Sequence, residues 1–377
     1  MRIYLDNAST TPMLPEVIDY MTEVMHNDFG NPSSIHQHGR KAKSIIENAR
    51  KVVAKVINAS LGEVFFTSSA TEANNMVIKN AVQDLGVQRI ISSPTEHHCI
   101  LHTLDYLTHH HKCEVIYLRV DAYGIIDYQQ LEDLLSGTSL KTLVSIMHGN
   151  NEIGTMSDTI KIGQLCHKYG ALYHCDAVQT IGKYHIDVQA SYISFLSGSA
   201  HKFHGPKGVG FVFISNENII TPYIHGGAQE RNMRAGTENV AGIAGLAKAL
   251  EIICESTDSN KKKILSLRTL FKDKLLTEFM DITFNGSQEG DFLAHVLSVS
   301  FPPGPKADML VMNLDIAGIS ASSGSACSAG IEEDSHVLVA IGHPAERKTI
   351  RFSFSPFNTE EEILYTVEKL KEMTPVI

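Results

Sequence analysis

Residues 172–179, Leu-Tyr-His-Cys-Asp-Ala-Val-Gln, and residues 193–208, Ile-Ser-Phe-Leu-Ser-Gly-Ser-Ala-His-Lys-Phe-His-Gly-Pro-Lys-Gly, decide how this chain folds. Each stretch opens on a short apolar run and ends in polar residues, so that Asp176, Gln179, Ser199, His201 and Lys202 fall at the ends of expected strands. In a parallel α/β sheet, strand ends are where ligands bind. Further short apolar runs at 64–67, 89–92, 114–118, 143–146 and 210–214 read as strands, and most are separated by helical stretches such as 160–169. Alternation of this kind predicts an α/β protein with a mostly parallel sheet covered on both faces. Near 255–263 the sequence turns polar, which marks the approach to a smaller C-terminal unit, and no internal repeat is present.

With 377 residues, 43% of them hydrophobic, the chain can bury a large core, split between two domains. The formal charge of −10 argues against nucleic acid as a partner, since its recognition calls for a basic face. No apolar run approaches the roughly 20 residues of a membrane helix, and the start, Met1-Arg2-Ile3-Tyr4-Leu5-Asp6, lacks the apolar core of a signal peptide. No membrane partner and a cytoplasmic location are therefore expected. The six cysteines, at 99, 113, 166, 175, 254 and 327, have irregular spacing and no Cys-x-x-Cys, which suggests neither a disulfide framework nor a zinc site. Five read as small buried hydrophobes. Cys327 lies among Ser, Gly and Ala, where a mobile functional thiol and an inert loop thiol are both consistent readings.

A lysine downstream of an aspartate, each at a strand end, is what a pyridoxal phosphate site needs. Lys202 can hold the cofactor as a Schiff base, Ser199 and His201 can reach its phosphate, and Asp176 can pair with the pyridinium nitrogen and keep the ring an electron sink. After the strand at 64–67, Ser68-Ser69-Ala70-Thr71-Glu72 opens a helical run whose free N–H groups suit a phosphate, although the same residues form an ordinary capping box. Arg351 offers two parallel hydrogen bonds to an amino-acid carboxylate, the alternative being a strand-edge arginine without a ligand. Metal readings of Glu96-His97-His98-Cys99 with His102, and of His109-His110-His111, are weak, because no second cluster with ligand spacing follows. No metal is expected.

These motifs, with Gly227-Ala228-Gln229-Glu230-Arg231 and Arg234-Ala235-Gly236-Thr237-Glu238-Asn239 behind them, resemble the cysteine desulfurases of the class V aminotransferase family. Ser322-Ser323-Gly324-Ser325-Ala326-Cys327-Ser328 is similar to the group I, NifS/IscS-like branch, and the Arg-x-Gly-His-His-Cys pattern of the other branch is absent. The likeness runs from Tyr4-Leu5-Asp6-Asn7-Ala8 to Arg351-Phe352-Ser353. It implies the fold type I architecture of pyridoxal phosphate enzymes: a large domain over 15–255 with a seven-stranded, mostly parallel sheet, and a smaller α+β domain from 1–14 and 256–377 that carries the cysteine loop. It also implies the remaining site roles. Ala70 and Thr71 join Ser199 and His201 at the phosphate, and Thr237 completes that cup from the neighbouring subunit of a homodimer. His97 stacks on the ring and carries protons, Gln179 bonds the phenolic oxygen, and Asn151 reaches the cofactor or the substrate carboxylate. Asn31 belongs to a motif near the substrate. The implied reaction converts L-cysteine to L-alanine and leaves a persulfide on Cys327 for an acceptor such as an iron–sulfur scaffold. A selenocysteine lyase or another small-amino-acid enzyme on the same fold is the rival reading, and a scaffold without catalysis is a third. Ser194, Cys175 and Asp334 depart from the family pattern, and only Asp334 stands where a change would bear on the cysteine loop.

Overall fold

A computed structural model describes residues 2–304, 307–323 and 335–374. In chain order these residues form β1 (Ile3–Tyr4), α1 (Pro15–Asn27), α2 (Gln37–Ile57), β2 (Val64–Thr67), α3 (Ala70–Gln83), β3 (Arg89–Ser92), α4 (His98–His111), β4 (Glu114–Tyr117), α5 (Tyr128–Ser136), β5 (Thr142–Ser145), α6 (Thr159–Tyr169), β6 (Leu172–Asp176), β7 (Phe195–Ser199) and β8 (Gly210–Ile214). Then come α7 (Val240–Glu255), α8 (Thr257–Glu278), β9 (Thr283–Asn285), β10 (Val296–Phe301), α9 (Leu310–Ile316), β11 (Ile319–Ser320), α10 (His336–Ala340), β12 (Lys348–Ser353) and α11 (Glu360–Met373).

Seven strands form one sheet in the order β2-β8-β7-β6-β5-β3-β4, and β8 alone runs against its neighbours. Every residue of β2, β5, β7 and β8 is buried, as expected for strands covered on both faces, whereas the edge strand β4 exposes its two end residues. Val144, Tyr173, Cys175, Leu196, Phe211 and Phe213 join residues of α2, α6 and α7 in the main core. On the opposite face Phe65, Leu143, Phe195 and Val212 pack with residues of α3 and α4. Because β2, β7, β6, β5 and β3 share one direction, their C-terminal residues Thr67, Ser199, Asp176, Ser145 and Ser92 line up along one edge. Local signals set the helices that follow: Ser69 caps α3 through the Glu72 N–H, Asp158 caps α6, and Gly170 ends α6 at φ 68°.

A second core gathers Ile3 and Leu5 with residues of α8, β10, α9, β12 and α11. Phe271 meets Phe352 and Phe354 edge-on, with ring centres 4.8 and 6.0 Å apart. Here β10 lies between β12 and β9, antiparallel to both, while β1 pairs parallel with β11. The N-terminal segment thus packs with the last third of the chain, and residues 6–11 cross to the edge where the large sheet's strands end. Among the described residues no helix is long and apolar enough to cross a membrane.

Candidate active site

A cavity of about 380 Å³ opens at that sheet edge. Lys202, Asp176, Gln179, His97, Ser199, His201, Ala70, Thr71, Asn151 and Arg351 all line it. Asn31 and Thr237 do not, and both are exposed on this chain. Asn31 instead turns its own loop, its Oδ1 accepting the Ser33 N–H. Cys327 and Asp334 lie outside the described residues.

Lys202 follows β7 in a single helical turn, and its Nζ donates to the carbonyls of Ala8 and Ser9 at 2.7 and 2.8 Å. Its own carbonyl accepts from Lys183 Nζ at 2.7 Å. Burial, and then the charge of Lys202, pull the Lys183 ammonium down to about 7. Asp176 ends β6. Its Oδ2 accepts from Asn74 Nδ2 at 2.8 Å and its Oδ1 from the Val178 N–H at 3.0 Å. Behind Asn74 the chain continues through His174 Nε2, 3.1 Å from Asn74 Oδ1, to Ser145 Oγ, 2.9 Å from His174 Nδ1. His174 is pushed to about 4 by burial, so its ring is neutral near pH 7. Asn74 and His174 were not singled out in the sequence. They hold Asp176 as an acceptor, because Asn74, whose Oδ1 faces His174 Nε2, must turn its NH₂ toward Asp176 Oδ2.

His97 caps α4, its Nδ1 accepting the Cys99 N–H at 3.2 Å. Burial lowers its pKa against the opposing pull of Asp176, so the neutral ring carries its proton on Nε2. Beside it, Glu96 is fully buried. One of its oxygens accepts the Met147 N–H at 2.7 Å, and the other has no hydrogen-bond partner among the described residues. Burial raises this carboxyl well above the usual range.

His98 packs at the cavity wall with its ring centre 4.4 Å from that of His336, because α4 turns its first residues toward the strand ends. One expectation needs correction. Cys99, read as a buried hydrophobe, is partly exposed in the same cavity, where its Sγ accepts from Asn74 Nδ2 at 3.3 Å. Burial pushes the Cys99 thiol up to about 12, so it is protonated at neutral pH. Cys254 is also only half-buried.

The α3 N-terminus reaches the cavity because β8 passes close beneath it. A Cβ on Gly210 would sit 2.9 Å from the Ser69 carbonyl carbon and 3.1 Å from the Ala70 nitrogen. Ala70 and Thr71 form the first turn, with buried Ser199 beside them and His201 Nδ1 3.1 Å from Thr10 Oγ1. That corner suits an anion. Arg351 closes the other end. Its guanidinium is 1% exposed, pairs with Asp6 at 2.9 Å and donates to the Asn151 carbonyl at 3.0 Å and to Ser9 Oγ. Its Nε has no partner among the described residues. The cavity therefore offers an anion cup, an amine, a carboxylate beyond it, and a guanidinium with an N–H to spare.

The aminotransferase class-V family matches residues 3–365. The cysteine desulfurase IscS of Dictyoglomus turgidum is 40% identical over 387 residues, covering 99% of this chain and 96% of its own. A solved NifS-like protein superposes with a TM-score of 0.91 at 37% identity, over 99% of both chains. A structure described as SspA in complex with cysteine superposes with a TM-score of 0.82 at 32% identity, over 95% of this chain and 100% of that one. This chain belongs to the class-V aminotransferase family, within its IscS/NifS-like cysteine desulfurases.

Proposed function

We propose that this chain is a cysteine desulfurase that takes sulfur from L-cysteine, releases L-alanine and carries the sulfur as a persulfide on Cys327. The observation that carries this reading is the single cavity in which Lys202, Asp176, Gln179, His97 and Arg351 meet. Its donor set fits pyridoxal phosphate: the α3 N-terminus, Ser199 and His201 for the phosphate, Asp176 for the ring nitrogen, Gln179 for the ring oxygen, and Lys202 for the aldehyde carbon. When bound, the cofactor supplies that aldehyde and a ring that takes up the electrons of the substrate Cα–H bond.

Each residue then has a defined task. Arg351 grips the substrate carboxylate through its spare Nε–H, with Asn151 alongside. Lys202 Nζ takes the Cα proton. Asp176 stays an acceptor through the Asn74–His174–Ser145 chain. His97 acts first as a donor from Nε2, since its Nδ1 lone pair is committed to the Cys99 N–H. The Cys327 thiolate attacks the substrate sulfur. The new bond is S–S, the bond that breaks is Cβ–S, and the electron pair leaves with carbon, which is protonated to the methyl group of alanine. No outside oxidant or reductant is needed. Burial raises all five described thiols, Cys99, Cys113, Cys166, Cys175 and Cys254, which speaks against any of them as the nucleophile.

The proposal extends to a homodimer in which Thr237 completes the partner's phosphate cup. In keeping with that, Thr237 is exposed here and away from its own cavity. Apolar cores on the two faces of the large sheet, separate from the one gathered by the C-terminal third, support a large domain over 15–255 and a small one from 1–14 and 256–377. The persulfide would pass to an acceptor protein of the iron–sulfur scaffold kind, in the cytoplasm. The reading is tested by measuring alanine and sulfide from L-cysteine with a reducing thiol. Equal amounts from the wild type and neither from Lys202→Ala, which also loses the visible absorbance of bound cofactor, are expected. An unchanged spectrum in Lys202→Ala would exclude the lysine assignment.

A further inference from the structure

Gln179 is held from a part of the chain far from its own strand. Its Nε2 donates to the Ala8 carbonyl at 3.0 Å, the same oxygen that accepts from Lys202 Nζ. Its Oε1 lies 3.0 Å from Nε2 of His295, on the residue just before β10, 116 positions along the chain. Both side chains are buried, Gln179 at 4% exposure and His295 at 1%.

These contacts fix the direction of the carboxamide. The Ala8 carbonyl can only accept, so it faces the amide NH₂. An amide oxygen can only accept, so His295 must carry its proton on Nε2. A carboxamide has two N–H groups, and Gln179 spends one on Ala8. The second remains for the cavity that Gln179 lines. If the carboxamide flipped, its oxygen would face the Ala8 carbonyl, its NH₂ would face the His295 N–H, and its oxygen would replace the donor at the cavity. The positive groups around His295, namely Lys183, Arg351 and Lys202, add to burial in keeping the imidazole neutral, so Nδ1 stays unprotonated.

We infer that His295 is a positioning residue for the active site, holding the Gln179 carboxamide so that an N–H, rather than the carbonyl, faces the ring oxygen of the cofactor. The inference rests on the pyridoxal phosphate reading above. A donor at that oxygen disperses its negative charge and lowers its basicity, so losing the donor raises the pH at which the lysine-bound cofactor gives up its proton.

The test is a pH titration of the visible absorbance of the purified holoenzyme, without substrate. His295→Leu should move the midpoint up by about half to one unit. His295→Gln, whose amide nitrogen falls near the position of Nε2, should restore it. In a Gln179→Leu background His295→Leu should add no further shift, since the two act as one unit. A visible band with the same midpoint in His295→Leu and wild type would overturn the inference alone, as would full additivity of the two changes. Absence of a visible band from the wild type would overturn the cofactor reading and the inference with it.

Discussion

At the scale of single residues, the site depends on polar groups whose partners come from distant parts of the chain. Arg351 shows this best. Its pairing with Asp6 leaves Nε as the spare donor, so a substrate carboxylate joins an existing ion pair instead of finding a free guanidinium. Arg351→Ala should raise KM for L-cysteine by roughly 10- to 100-fold, the worth of a charge-assisted hydrogen bond, with little change in the spectrum of bound cofactor; steady-state kinetics measure it. Asn74 is equally placed behind Asp176. Asn74→Leu should weaken cofactor retention by about 10-fold or more, measured by equilibrium titration of cofactor-free protein, while the sheet stays folded. Lys202 and Asp176 could be assigned to one site from the sequence because each chemical role admits few residue types and their order along the chain is informative, whereas His97 was assigned there by the family resemblance; all three line the cavity. Asn74, His174 and His295 were not legible, because nothing in a helical or loop sequence says which carboxylate or carboxamide a buried amide or imidazole will meet. Cys99 was misread for the same reason. Ile100 and Leu101 follow it in sequence and are core-forming, but the first turn of α4 that carries Cys99 itself faces the cavity.

At the scale of elements, the position of the α3 N-terminus and the path of 227–239 matter most. Gly210→Ala would place a methyl 2.6 Å from the Gly198 carbonyl and against the Ser69–Ala70 backbone, with no flexible side chain to give way. It should push α3 from the anion cup and cost about 1–3 kcal/mol of stability, together with weaker cofactor binding; denaturant unfolding and cofactor titration read the two effects. Glu230 anchors the following segment. It receives both terminal nitrogens of Arg50 at 2.9 and 3.0 Å and the Phe66 N–H at 2.8 Å, all out of water, while Glu230, Arg231 and Asn232 adopt positive φ. Removing one partner of a buried pair leaves the other charge uncompensated, so Glu230→Ala should lower unfolding stability by about 3–5 kcal/mol. The strands of the large sheet were legible because short runs built around apolar residues between helical stretches have few other interpretations, whereas β1 and β9–β12 were not read as strands. The strand order was not legible, since β8 returns antiparallel between β2 and β7 through contacts that no local pattern encodes.

At the scale of the whole molecule, buried histidines set the response to acid. His148, His174, His201 and His204 are pushed from 6.5 to about 4, in each case mainly by burial. Between those values these histidines bind more protons in the unfolded chain than in the folded one, so their contribution to stability is fully present above about pH 6.5 and is lost as pH falls toward 4, offset in part by buried Glu152, whose carboxyl is raised to about 7. Urea midpoints measured from pH 7.5 to 4.5 should therefore fall steeply, and His148→Gln should flatten the slope. The central claim is sulfur transfer to Cys327, and the most direct measurement is the intact mass and peptide map of the holoenzyme after one addition of L-cysteine, without a reducing thiol. A gain of one sulfur atom on the peptide carrying Cys327, with one L-alanine released per sulfur, is the predicted result. Sulfur on the peptide of Cys99 or Cys175, or alanine released with no sulfur retained on the protein, would contradict it.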